Sequence, residues 1–138
     1  MKKYLNISLI YALLAMTGGV FYREFTKFNR FTGVTVLSKV HTHFFLLGMI
    51  VFWGVALFSA QHDLKKMKSF RIFMLVYNAG VPLTAVMMAV RGTLQVLEVR
   101  LSPGSSAAIS GISGIGHILT GIGIILLIFS FKKIAKED

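Results

Sequence analysis

The chain has 138 residues, of which 55% are hydrophobic and 14% charged, and its mean hydropathy is +0.73. A soluble domain usually carries about 25% charged residues. The charges here collect in short clusters between long apolar runs, which predicts a single membrane domain. Lysines and arginines that flank spans explain the net charge of +10, so we expect no nucleic-acid partner. The lack of cysteine excludes disulfides, thiolate metal sites and cysteine nucleophiles.

Four apolar segments, the first to fourth spans, reach or nearly reach the roughly 20 residues that a bilayer crossing requires. They cover Leu5–Tyr22, Leu37–Ala60, Phe70–Val90 and Ala107–Phe131. The first resembles a signal peptide, but no small-x-small cleavage site follows it, and we interpret it as a retained helix. The predicted fold class is all-α, a four-transmembrane-helix bundle with up-down-up-down topology.

The basic residues predict the orientation of the bundle in the membrane. Of the 15 lysines and arginines, nine fall on the side that holds both termini and six on the opposite side. The larger set is expected to face the cytoplasm. We therefore expect both termini to be cytoplasmic.

Three histidines lie within the apolar spans, where ionisable side chains are rare and indicate function. His41 and His43 begin the second span, and His117 lies in the fourth. In this topology the second and fourth spans are diagonal and run in the same direction. We therefore expect His43 and His117 to face each other across a central slot, an arrangement suited to a metal ion or a six-coordinate heme.

The spacing of His41 and His43 separates them by about 200° around a helix, so one ion at the bundle centre cannot bind both. Depth in the membrane favours His43 as the residue that faces inward. His41 is then expected to face a partner subunit, a neighbouring helix or a second cofactor.

Small and basic residues near the histidines bear on the kind of cofactor. Gly114 and Gly121 share a helix face with His117, and they either allow close helix packing or clear space for a flat macrocycle. Arg23 and Arg91 end the first and third spans on the histidine side. They are expected to bind heme propionates, and the alternative is that they extend to lipid headgroups.

Two resemblances add to this interpretation. The string His41-Thr42-His43-Phe44-Phe45-Leu46-Leu47-Gly48 resembles the His-x-His helix of relatives of the catalytic subunit of heme-copper oxidases and nitric oxide reductases. This likeness implies heme ligation by His41 or His43 together with His117. The chain lacks the dozen-span scaffold and the full histidine set of an oxidase, so oxygen reduction and proton pumping are not implied.

The second resemblance covers nearly the whole chain and is to a family of small bacterial four-span membrane proteins of unknown function. The segments that carry it are Phe21–Phe28, Tyr77–Gly80, Val90–Gly92 and Ile109–Gly114. It implies a location in the bacterial plasma membrane but no particular activity.

Together these features favour an integral membrane heme-binding protein with His43 and His117 as axial ligands, used for electron transfer, heme handling or gas sensing. One alternative is a copper or zinc transporter or chaperone that binds its metal through the same histidines. Another is a non-catalytic assembly partner whose histidines only join helices. The expected partners are the lipid bilayer, further copies of the chain and a redox partner, and whether the protein is an enzyme stays open.

Overall fold

The computed structural model describes residues 1–136, which form four long helices joined by short connections. The first span is the helix Lys2–Phe28, the third is Lys68–Val96 and the fourth is Pro103–Ile134. The second span covers Val36–Gln61, and all four are long and apolar enough to cross a membrane. The predicted four-helix, all-α class is confirmed. The first, third and fourth helices extend beyond the apolar segments because polar residues at both ends continue them.

The second span is built from several kinds of helix. A 3₁₀ turn covers Val36–Lys39, α-helical turns cover Val40–His43, a π-helical stretch covers Phe44–Ile50 and an α-helix covers Val51–Gln61. A further 3₁₀ turn, Leu64–Lys66, leads to the third span.

Neighbouring spans hold the π-helical stretch in place through its carbonyl groups. The Tyr77 hydroxyl donates a hydrogen bond of 2.8 Å to the carbonyl of Leu47. The Ser8 hydroxyl donates one of the same length to the carbonyl of Met49. Because these bonds come from the third and first spans, tertiary contacts stabilise a helix type that is rare on its own.

Aromatic side chains fill the interior between the first, second and third spans. Tyr11 stacks on Phe52 with ring centroids 5.6 Å apart, and Phe52 in turn contacts Phe73 and Tyr77 at 5.9 and 6.1 Å. The predicted central slot is therefore wrong, because large rings occupy the centre of the bundle. The second and fourth spans do not face each other across an open centre.

The third and fourth spans pack closely because glycines lie at their contact. A Cβ atom added to Gly116 would lie 2.6 Å from Oγ1 of Thr84, and one added to Gly123 would lie 2.7 Å from the ring of Tyr77. Such distances are too short for any larger side chain, so these glycines set the helix separation. We call Gly116 and Gly123 the packed stripe.

The second and fourth spans meet through side chains at two levels. Near one end, the rings of His43 and His117 have centroids 6.4 Å apart, and near the other, Phe58 stacks on Phe131 at 4.1 Å. Phe58 follows His43 by 15 residues and Phe131 follows His117 by 14. The two spans therefore run in the same direction, as the up-down-up-down topology requires.

Candidate functional site

The histidine pair lies at the side of the bundle, between the second and fourth spans. His43 is the last residue before the π-helical stretch, and its ring plane stands at 84° to that of His117. His43 is half-buried, whereas His117 is exposed on the surface of the single chain. We use the name histidine cleft for the space between these two spans from the His43–His117 pair to the Phe58–Phe131 stack.

Both rings are tied to the turn before them by the same hydrogen bond. Nδ1 of His43 lies 2.9 Å from the carbonyl oxygen of Lys39, and Nδ1 of His117 lies 2.8 Å from that of Ser113. Since a carbonyl oxygen only accepts, each Nδ1 carries the hydrogen and donates it. When such a ring binds a metal, Nε2 is then the nitrogen that offers its lone pair, and a hydrogen bond from the other ring nitrogen is usual for metal-binding histidines.

Glycines leave open space beside the pair. No heavy atom of a neighbouring segment lies within 4 Å of a Cβ atom built on Gly114 or Gly121, which lie on the same helix face as His117. Gly54, one turn before Phe58 on the second span, is equally open. We call Gly114, His117 and Gly121 the open stripe. Of the two explanations that the sequence allows for these glycines, close packing within the chain does not apply.

His41 faces the opposite way, toward the first span. A Cβ atom added to Gly19 would lie 3.7 Å from the His41 ring, and Nδ1 of His41 is buried without a hydrogen-bond partner. His43 therefore faces the fourth span, and His41 does not belong to the histidine cleft. A ligand role for any of the three histidines stays a prediction.

The two arginines have different environments. Nη2 of Arg91 donates hydrogen bonds of 3.0 Å to the carbonyl of Ser106 and 2.7 Å to the hydroxyl of Ser110. These serines precede His117 by eleven and seven residues on the fourth span. At 1.5 Å per residue, the Arg91 guanidinium therefore lies about 10 Å or more from His117 along the same helix face.

Arg23 forms an exposed 3.2 Å ion pair with its neighbour Glu24. It follows Gly19 by one turn, which places it on the His41 side of the protein. The described contacts do not bring Arg23 to the histidine cleft.

Lys39 is a residue at this site that the sequence reasoning missed. Its carbonyl fixes the His43 ring, and its exposed side chain lies one turn before His43, on the same helix face. Lys39 and Arg91 therefore supply a positive charge on each side of the cleft at its His43–His117 end, which we call the outer mouth. The sequence feature that could have identified Lys39 is its position four residues before His43.

The donor set decides which cofactors fit. Among residues 1–136, no group of three or more His, Asp or Glu side chains is placed to hold a metal ion. A protein zinc site takes four ligands, or three and a water, so two histidines leave a zinc ion incompletely bound. A heme iron already has four nitrogen ligands and needs only one or two from the protein. The number of histidines at the cleft therefore suits a heme iron better than a zinc ion.

A family model described as protein of unknown function (DUF2871) matches residues 1–134. The chain belongs to this family. The resemblance to a small four-span family of unknown function is thereby confirmed, and it carries no activity with it. Searches of curated proteins and of solved structures give no match.

Proposed function

We propose that this protein is an integral membrane heme protein in which His43 and His117 are the two axial ligands of one iron. The observation that carries the proposal is the pair itself, with ring centroids 6.4 Å apart and both Nδ1 atoms engaged by backbone carbonyls. The histidine cleft is then the cofactor site of the protein.

The separation of the rings suits coordination of one metal from opposite sides. Two metal–nitrogen bonds of about 2.0 Å, with each ring centre about 1.1 Å behind its nitrogen, put aligned centroids about 6.2 Å apart. The 6.4 Å separation is close to this value. Two axial imidazoles can differ in their rotation about the metal–nitrogen axis, so ring planes at 84° would be compatible with axial coordination.

The open space beside His117 also supports a flat ligand. Gly114 and Gly121 leave open space on both sides of His117 along the fourth span, and Gly54 does so on the second. The Phe58–Phe131 stack bounds this space at the far end. A bare ion needs no such space, whereas a macrocycle between two helices does.

Coordination by two histidines favours electron transfer over the other two roles. A heme supplies one-electron chemistry, and an iron with both axial positions filled has no open site for a gas. His43 and His117 would hold the iron, while Arg91 and Lys39 would bind the propionate carboxylates at the outer mouth. Both hydrogen bonds from Arg91 use Nη2, which leaves Nη1 and Nε for a propionate.

The test is an absorption spectrum of the protein purified in detergent, with heme quantified per chain. We expect a Soret band at near-stoichiometric heme that is lost in both His43→Ala and His117→Ala. His62→Ala and His41→Ala are matched controls. His62 lies in the connection after the second span and His41 faces the first span, so both variants are expected to keep the heme.

Two results would overturn the proposal. Copper or zinc at one ion per chain, without a Soret band, would assign the pair to bare-metal binding. A protein with neither heme nor metal, whose oligomer size is unchanged when all three span histidines are replaced, would be a non-catalytic assembly partner.

A further inference from the structure

A second candidate site lies at the end of the bundle that carries both termini, far from the histidine cleft. A groove of about 260 Å³ opens there between the first and third spans. The residues that line it are Lys3, Tyr4, Lys65, Phe70, Arg71 and Met74. The groove therefore combines three cations with three largely apolar side chains, and it does not depend on the proposed heme.

The apolar floor of the groove is made of buried, mutually packed side chains. Tyr4 and Phe70 meet edge to face with ring centroids 5.7 Å apart, and both are almost fully buried, at 3% and 1% exposure. Met74 is half-buried one turn further into the third span. Because Tyr4 and Phe70 lie within three residues of the starts of their helices, the floor lies at the boundary between headgroups and hydrocarbon.

The three cations are available to a ligand. Within residues 1–136, no carboxylate forms an ion pair with Lys3, Lys65 or Arg71. The nearby Asp63 pairs instead with Lys66, at 3.5 Å. Each of the three comes from a different segment, the first span, the connection after the second span, and the third span, and all are exposed. Their convergence on one groove creates a local positive charge at headgroup level.

We propose that this groove binds an anionic phospholipid, with the phosphate between Lys3, Lys65 and Arg71 and an acyl chain along Met74. Lysine and arginine recognise a phosphate through charge-assisted hydrogen bonds. Basic pockets between transmembrane helices bind anionic headgroups in this way. A free phosphate shares the headgroup chemistry but has no use for the apolar floor.

The experiment measures thermal unfolding in a neutral detergent during titration with dioleoyl phosphatidylglycerol or dioleoyl phosphatidylcholine. We expect the anionic lipid to raise Tm in a saturable way and the zwitterionic lipid to leave it unchanged. The double variant Lys3→Gln/Arg71→Gln is expected to bind phosphatidylglycerol at least about tenfold more weakly, the loss that one charged hydrogen bond produces.

The matched control is Lys68→Gln/Lys132→Gln. It removes two exposed charges from the same end of the bundle but outside the groove, and it is expected to change the affinity less than about twofold. If both double variants unfold at the Tm of the parent protein in the absence of lipid, their folding is intact. Equal weakening in the two variants would overturn the proposal in favour of diffuse surface attraction. The same Tm rise with inorganic phosphate alone, or with phosphatidylcholine, would also overturn it.

Discussion

The fourth span carries two rows of glycine whose surroundings are opposite. On the packed stripe, Gly116 and Gly123 lie so close to the third span that a Cβ atom would collide with Thr84 or Tyr77. On the open stripe, Gly114 and Gly121 have no neighbouring atom within 4 Å of the same position. Glycine thus allows close contact between two helices on one face and borders open space on the other.

This difference separates the part of the protein that holds the bundle together from the part that can take a ligand. The packed stripe joins the third span to the fourth, and the aromatic interior joins the third to the first and second. The second and fourth spans touch through side chains at the two ends of the histidine cleft. A cofactor site is expected at such an incompletely filled interface between helices.

The largest effect is expected from Gly116→Val, which fills the packed stripe. Atoms of the new side chain would meet Oγ1 and the backbone nitrogen of Thr84 at less than 3 Å, so the helices must separate. Overpacking of this kind destabilises by about 3 kcal/mol. We expect a lower Tm in detergent and loss of heme as a consequence.

Gly121→Ala on the open stripe is the control, and its Tm is expected to stay equal or rise, because alanine favours a helix more than glycine does. Equal losses of stability in both variants would show that the open stripe is also packed.

The next effect is expected from Gly121→Leu, which fills the open stripe. The new side chain has space within the chain, so the free energy of unfolding of the heme-free protein should change by less than about 1 kcal/mol. It would also occupy the position of a macrocycle beside His117, and the Soret band should therefore be lost. Gly104→Leu, at an open position near the start of the fourth span and far from the pair, is the matched control.

A different outcome for Gly121→Leu would support another role for the open stripe. If the variant keeps its heme but no longer forms the oligomer of the parent protein, the glycines serve contact between copies of the chain. If neither heme nor oligomer size changes, the cleft does not extend to Gly121.

The sequence predicted the number and order of the spans because hydrophobic length alone decides which segments cross a membrane. It could not predict which spans are neighbours, since lipid is as apolar as a leucine side chain and hydropathy does not distinguish the two. For this reason Tyr11, Phe52 and Tyr77 were not recognised as the filling of the bundle centre, and a central slot was expected instead.

The candidate site shows the same limit at the level of single residues. The 200° spacing correctly separates His41 from His43, but only the packing of Gly19 against His41 shows which ring faces which span. The π-helical stretch after His43 could not be foreseen, because it depends on hydrogen bonds from Tyr77 and Ser8 on other spans. Arg23 and Arg91 are alike in sequence terms, since both end a span on the histidine side.

The comparison of Arg23 with Arg91 gives the smallest expected effect and the sharpest test of the outer mouth of the cleft. Arg91→Gln removes a guanidinium that lies on the helix face of His117, so heme binding should weaken by about tenfold, as for one charged hydrogen bond. Arg23→Gln removes only an exposed ion pair with Glu24, and such pairs contribute about 0–1 kcal/mol. The measurement is the rate at which heme leaves each purified variant for an excess of apomyoglobin. A faster loss from Arg23→Gln than from Arg91→Gln would place the propionates beside the first span, on the side of His41, and would contradict the assignment of the cofactor to the open stripe.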